Sequence, residues 1–256
     1  MTERDMGGHR GTRCKWSQGT AALVAAVWVA VLLAPAPAAA QASVNGRIAI
    51  TERPGEATTD FNATVVYLVP ADSATKPAAQ KPGAANPKNE KTAAPVIAMN
   101  GRAFVPHVRV ITPGMKVEFP NQDPFSHNIF STAPGAAFDL GLYGAGKSKD
   151  ATFKRAGAFP IYCNIHPRMT AFVVVAPSPW YAQAGNDGRW TIEGVPAGQY
   201  TLHVWHERTT EVKQRVTVLA SGLGDVSTTL DARGFKFSPH KNKFGKEYDK
   251  NSAVRY

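Results

Sequence analysis

The chain has 256 residues, 43% of them hydrophobic, and its 29 Lys and Arg against 19 Asp and Glu give a formal charge of +10. That length allows one large domain or two small ones. No basic run is longer than two residues, which argues against a nucleic-acid partner and leaves either a solvated basic surface or one that steers acidic partners.

Residues 1–20 are polar with scattered charge, and Ala21 to Ala34 is almost wholly apolar. Pro35, Pro37 and a run of alanines follow, with small residues at Ala38 and Ala40 or at Ala40 and Ala42. A basic leader, a short apolar core and an A-x-A-like exit describe a secretory signal peptide over 1–42. The apolar run is short for a membrane span, which needs about 20 residues. No paired arginines precede it, so the general secretory route is expected rather than the twin-arginine one. A mature chain starting near Gln41 or Ser43 would lie in the periplasm or otherwise outside the inner membrane, with no remaining span. It would lose four basic and two acidic side chains, leaving about +8.

Val44–Ile50 alternates apolar and polar residues as a half-buried strand does. Ala63–Val69 is a short apolar run consistent with a buried strand. From 71 to 94 the chain is rich in Ala, Pro, Lys and Asn without periodicity, the composition of a disordered linker. Strand signals return at Phe104–Ile111, Met115–Phe119, Ala151–Phe153, Phe159–Cys163 and Thr170–Val175. After a turn at Asn186-Asp187-Gly188 come Arg189–Ile192, Tyr200–His206 and Val212–Val218, with Pro196-Ala197-Gly198 turning between the first two. Residues 221–256 read as a basic tail without a clear element. Short strands at regular spacing and no long amphipathic helix predict an all-β fold of sandwich type.

Cysteine usage is sharper. Cys14 falls in the leader, so Cys163 is the only cysteine of the expected mature chain. An unpaired cysteine in an exported protein calls for a reason: an intermolecular bridge, a reactive thiol or a metal. It opens the loop Cys163-Asn-Ile-His166-Pro-Arg-Met169, which gathers a thiolate, an imidazole and a thioether between two strand-like runs. His127, after the turn-rich Asn121-Gln-Asp-Pro124, is the best source of a second imidazole. Soft sulfur donors favour Cu(I), and imidazole suits both copper oxidation states. A trigonal His2Cys set with a weak axial Met is the blue-copper arrangement, which carries one electron at a time. Each residue alone has a plainer reading: a small buried hydrophobe, a core methionine, a surface histidine. Zinc normally takes no thioether, and a nucleophilic Cys-His pair would need a third orienting group and a cleft.

These residues carry a family resemblance. Residues 95–176 resemble a cupredoxin domain. Val117-Glu-Phe-Pro-Asn-Gln-Asp-Pro-Phe-Ser-His127-Asn128 is similar to the first half of the family's copper motif and Cys163–Met169 to the second, the loop being most like that of amicyanin. The resemblance implies one type 1 copper ion held by His127, Cys163, His166 and Met169. It also implies that the backbone N–H of Asn128 bonds the cysteine sulfur, and that the His166 edge reaches the surface as the electron gate. The 35 residues between His127 and Cys163 include a Gly-rich stretch, Gly141–Gly146, that the family pattern does not place. A second resemblance lies in Asn186-Asp-Gly-Arg-Trp-Thr-Ile-Glu-Gly-Val-Pro-Ala-Gly-Gln-Tyr-Thr-Leu, which looks like a carboxypeptidase regulatory-like, or transthyretin-like, β-sandwich. Its first strands would lie in 43–70 and the remainder in 177–220, with the copper domain inserted between. The whole layout resembles proteins labelled methylamine utilization proteins.

Gly141 to Ser148 formally matches the phosphate loop G-x-x-x-x-G-K-[ST], but that chemistry needs a helix N-terminus after the loop, and the following residues look extended. No nucleotide is expected. His203 and His206 lie three apart on an expected strand and so point to opposite faces. His107 and His240 have no partner nearby in sequence. The lack of a His-x-His pair argues against a multicopper oxidase or copper nitrite reductase, and one cysteine against a binuclear site. The expected function is therefore non-enzymatic: single-electron transfer with a redox protein, a cytochrome c or a periplasmic dehydrogenase, acidic if the basic surface steers it. The alternative is a non-redox binding or scaffold module, or a copper-handling protein of the cell envelope.

Overall fold

A computed structural model describes residues 41–71 and 95–248. The expected leader up to residue 40 and nearly all of the expected linker lie outside the described residues. Sixteen strands and one short 3-10 turn, Phe61–Ala63, make up the regular structure of the described residues. Among them no helix is long and apolar enough to cross a membrane.

The strands fall into two groups. The first comprises β1 (Gln41–Thr51), β2 (Val65–Pro70), β12 (Tyr181–Gln183), β13 (Arg189–Pro196), β14 (Gly198–Trp205), β15 (Val212–Val218) and β16 (Leu223–Asp231). They form a three-stranded sheet, β13-β1-β16, and a four-stranded sheet, β12-β2-β14-β15. Strands from before and after residues 95–176 thus share both sheets. Alternation decides which side chains face in. On β14, Tyr200, Leu202 and Val204 are buried between half-buried neighbours, and they meet Val44, Ile48, Trp190 and Ile192 of the other sheet in one core. Each such side chain contributes about 1.5–3 kcal/mol by leaving water.

The second group is β3 (Ala98–Asn100), β4 (Ala103–Val105), β5 (Val108–Ile111), β6 (Lys116–Pro120), β7 (His127–Ser131), β8 (Phe138–Tyr143), β9 (Ser148–Thr152), β10 (Gly157–Cys163) and β11 (Thr170–Val175). A five-stranded sheet, β5-β11-β10-β7-β8, lies with the pairs β6-β9 and β3-β4 around a core that includes Phe119, Ile129, Phe153, Ile161, Cys163 and Met169. β11 explains its own unbroken apolar run. Ala171, Val173 and Val175 face this core, while Val174 packs on Val108, Val110 and Tyr181 at the junction of the two strand groups, with Phe172 and Trp205 against them. A strand covered on both faces has no polar side to show.

Several expectations need correction. The segment 221–256 is not a tail without structure, because Leu223–Asp231 runs parallel to β1 from Val44 to Thr51. Its inward face is Val226, Thr228 and Leu230, all buried. β1 also begins at Gln41, before the expected boundary at 43. The single strand expected over Phe104–Ile111 is two, β4 and β5, parted at Pro106, whose nitrogen has no proton to give a ladder. β7 and β8 were not expected at all. The Gly-rich stretch forms the end of β8 and the turn into β9, with Gly141 (φ 66°) and Gly146 (φ 69°) in the left-handed region. Ser148 begins a strand, so no helix follows to receive phosphate.

Candidate metal centre

The sheet register brings the two halves of the site together. β10 and β7 are antiparallel with Cys163 opposite Ile129. His127 is two residues before Ile129, so it leaves the strand on the same face as Cys163. Beyond Cys163 the chain makes a tight loop. The Cys163 N–H donates to the Met169 carbonyl at 3.2 Å, and the Met169 N–H donates to that of His166 at 3.0 Å. The Asn164 N–H donates to the Asn128 carbonyl at 2.8 Å, tying this loop to β7.

The Cys163 Sγ lies 3.5 Å from His127 Nδ1 and 3.4 Å from His166 Nδ1. One donor atom from each of the three residues falls within 4.8 Å of the others, and all three side chains are buried. Met169 is 2% exposed and belongs to the same apolar cluster as Cys163. The structure therefore brings His127, Cys163 and His166 to one point and buries Met169 beside them. His107, His203 and His206 are in other networks: with Glu207, with Tyr67 and Glu211, and with Asp60. His203 and His206 do not share a site.

Burial sets the proton states. It pushes the Cys163 thiol up, against backbone N–H groups of Ile165, Asn128 and His166 that aim at the sulfur and favour thiolate. The contact from the Asn128 backbone is the one the resemblance implies. Burial lowers His166 to about 4, helped by the neighbouring His127 and Arg102. It lowers His127 as well, although Asp123 pulls the other way. Both imidazoles are thus neutral near pH 7, each with a lone pair to give.

Two features were not legible in the sequence. Asp123 Oδ2 accepts from His127 Nε2–H at 2.8 Å, which leaves Nδ1 as the donor atom facing the sulfur. Asp123 is itself held by the N–H groups of Gly101 and Arg102, at 2.6 and 3.0 Å. Its only sequence signal is its place in the turn Asn121–Pro124, where the Asp123 N–H donates to the Asn121 side chain at 3.0 Å. The second feature is His166. Its edge was expected at the surface, but the residue is only 8% exposed, with Phe125 edge-on at 5.8 Å.

No family model matches the sequence, and no curated protein matches it. Among solved structures, the chain is similar to a purple cupredoxin from Nitrosopumilus maritimus, at 24% identity over 32% of this chain and 99% of that one, with a TM-score of 0.30. It is also similar to an amicyanin variant in the Cu(I) form, at 24% identity over 32% of this chain and 81% of that one, with a TM-score of 0.31. A second amicyanin variant, in the reduced state, matches at 20% identity over 43% of this chain and 98% of that one, also with a TM-score of 0.31.

Proposed function

We propose that this chain is an exported type 1 copper protein that passes single electrons between redox proteins and is not itself an enzyme. The carrying observation is the buried set of His127, Cys163 and His166, one donor atom of each within 4.8 Å of the others and both Nδ1 atoms facing the sulfur. The donor set fits copper. Its imidazoles are neutral, its sulfur receives three N–H groups, and the nearby thioether is a soft ligand that zinc rarely uses. His127, Cys163, His166 and Met169 would hold the ion, which when bound supplies a one-electron couple.

The rest is done by the chain. β7, β10 and β11 fix the loop that presents the ligands, and a site held by packed strands changes little when one electron arrives. The Phe125 ring covers both imidazoles, with centroids 5.3 Å from His127 and 5.8 Å from His166, and shields them from water. The exposed Arg102 lies over the Phe125 ring at 5.1 Å and the exposed Arg168 over Phe237 at 5.0 Å. These two guanidiniums near the ligand loops favour an acidic partner, and association would then slow with added salt. A cytochrome c or a periplasmic dehydrogenase is the proposed class. The split sandwich of β1, β2 and β12–β16 is read as the transthyretin-like module, and the methylamine utilization label goes with that reading.

The test is optical. The purified chain with Cu(II) is expected to show an intense visible thiolate-to-copper band that Cys163→Ser abolishes. A colourless protein that retains no copper would sink the proposal. Reversible voltammetry of the loaded protein separates electron transfer from copper handling without redox cycling.

A further inference from the structure

After β16 the chain runs from 232 to 248 without regular structure, yet it stays on the metal-site loops. It first leans on the split sandwich, where the Ala232 N–H donates to the Thr51 carbonyl at 3.0 Å. It then crosses to the other strand group. His240 stacks on Tyr162, the residue before Cys163, with centroids 4.5 Å apart and planes at 25°. Its Nε2 lies 3.2 Å from the His166 carbonyl oxygen. The Tyr248 hydroxyl donates to the Cys163 carbonyl at 3.1 Å. The Lys243 N–H donates to Asn164 Oδ1 at 2.9 Å, and its ammonium to Asn128 Oδ1 at 3.3 Å and Asp139 Oδ2 at 2.6 Å.

These contacts share one feature. The carbonyls of two of the three loop ligands, Cys163 and His166, face side chains of this segment. So does the side chain of Asn128, whose N–H aims at the sulfur. Ordering an irregular segment costs about 1–2 kcal/mol of backbone entropy per residue. The buried His240 ring, 9% exposed, and these hydrogen bonds offset part of that cost. Groups that orient metal ligands from behind commonly change affinity or activity by about 10–100-fold.

We propose that residues 232–248 form a clasp in cis that holds the Cys163–Met169 loop and Asn128 in ligand geometry before the metal arrives and slows its loss afterwards. This rests on the copper reading. His240, Lys243 and Tyr248 are positioning residues: His240 and Tyr248 act through the His166 and Cys163 carbonyls, and Lys243 through the side chains of Asn128 and Asn164.

The experiment compares the full chain with a His240→Ala, Lys243→Met, Tyr248→Phe triple variant and with Tyr248→Phe alone, which removes one hydroxyl and leaves the ring. Three quantities are read: copper release to an excess of chelator, the position of the visible band, and hydrogen exchange of the 164–169 amides in metal-free protein. The triple variant is expected to release copper about 10–100-fold faster, with a shifted band and faster exchange confined to that loop, and Tyr248→Phe to move the same way by less. Wild-type release and wild-type exchange in both variants overturn the clasp. If no protein binds copper, the copper reading fails, and loop exchange in the metal-free proteins still decides for or against the clasp. If the triple variant does not fold, Tyr248→Phe decides.

Discussion

Asp123 Oδ2 and His127 Nε2 stand 2.8 Å apart with side chains 6% and 0% exposed, a carboxylate and an imidazole sealed together behind the candidate metal site. Burial would raise the Asp123 carboxyl, but the Arg102 N–H, His127 and the Gly101 N–H outweigh it and hold it below its ordinary value. Burial keeps His127 neutral. The pair is therefore carboxylate and imidazole, and the proton sits on Nε2. A carboxylate behind a ligating histidine makes it a stronger donor and fixes its tautomer. Asp123→Asn is expected to weaken copper binding by about 10–100-fold. A weaker donor favours the lower oxidation state, so the reduction potential should rise. Competition titration and voltammetry check the two effects, and an unchanged potential would mean Asp123 only shapes the turn.

Metal should also stabilise the fold, because the proposed ligands come from β7, from the end of β10 and from the loop joining β10 to β11. A ligand that binds only the folded state adds about 4 kcal/mol at a thousand times its dissociation constant. Copper-loaded protein is expected to melt higher than metal-free protein, and Cys163→Ser to lose most of that difference. Calorimetry with and without chelator measures it. Equal melting temperatures would show that the ion is held, if at all, by something other than these strands.

How much of this was legible differs from one element to the next, for physical reasons. Thr170–Val175 is legible at its limits because the five residues after Thr170 pack against apolar neighbours on one face or the other and are all apolar. β7 was not seen. Its five residues are all buried, but His127, Asn128 and Ser131 are polar, because this strand serves the site rather than the core alone. β16 was hidden by the opposite problem: its alternation is real, but its inward face includes a threonine, and Ser, Asp and Gly fill much of the rest. Cys163, His166 and Met169 are neighbours by chain geometry, so a short pattern could group them. The contacts of Asp123, His240, Lys243 and Tyr248 depend on turn shape and on segments far apart in sequence meeting across the fold, and no local pattern records those.

Gly46 tests the split sandwich. A Cβ built there would lie 2.0 Å from the Val226 carbonyl oxygen and 2.7 Å from the Trp190 ring. The first of these is backbone of β16 and cannot swing aside. Gly46→Ala is expected to cost about 3 kcal/mol, a fall of roughly 10 °C in melting temperature for a chain of this size. Gly224→Ala in β16 is the control, since its Cβ would meet only the Asn45 side chain at ordinary contact distance, 3.6 Å. Equal melting of both variants would mean that β1 and β16 are not paired as described.

The last prediction concerns acid. Arg208 grips Glu52 with two bonds of 2.8 and 2.7 Å and Asp60 with two more of 2.8 and 2.7 Å. The Arg208 and Glu52 side chains are 16% and 8% exposed. The Arg208 guanidinium holds the Glu52 carboxyl below its ordinary 4.5, against the effect of burial. Arg208→Met would strand a buried carboxylate and is expected to cost about 3 kcal/mol at pH 7. The sign of the pH dependence follows from which state binds the proton. With the folded value lowered, the unfolded chain takes up the proton first, so the stabilisation is complete above about pH 4.5 and is lost as the pH falls through the lowered value. In the variant the stranded carboxyl protonates more readily and its burial then costs less. The stability gap between wild type and variant should therefore be widest near neutrality and narrow below about pH 4.5. His206, beside Asp60, is lowered by burial and by the Arg208 charge, so it weakens the fold in acid more in the wild type than in the variant and narrows the gap in the same direction. Urea unfolding of both proteins between pH 3 and 7 measures the gap, and a gap independent of pH would show that Arg208 stabilises by packing rather than by its charge.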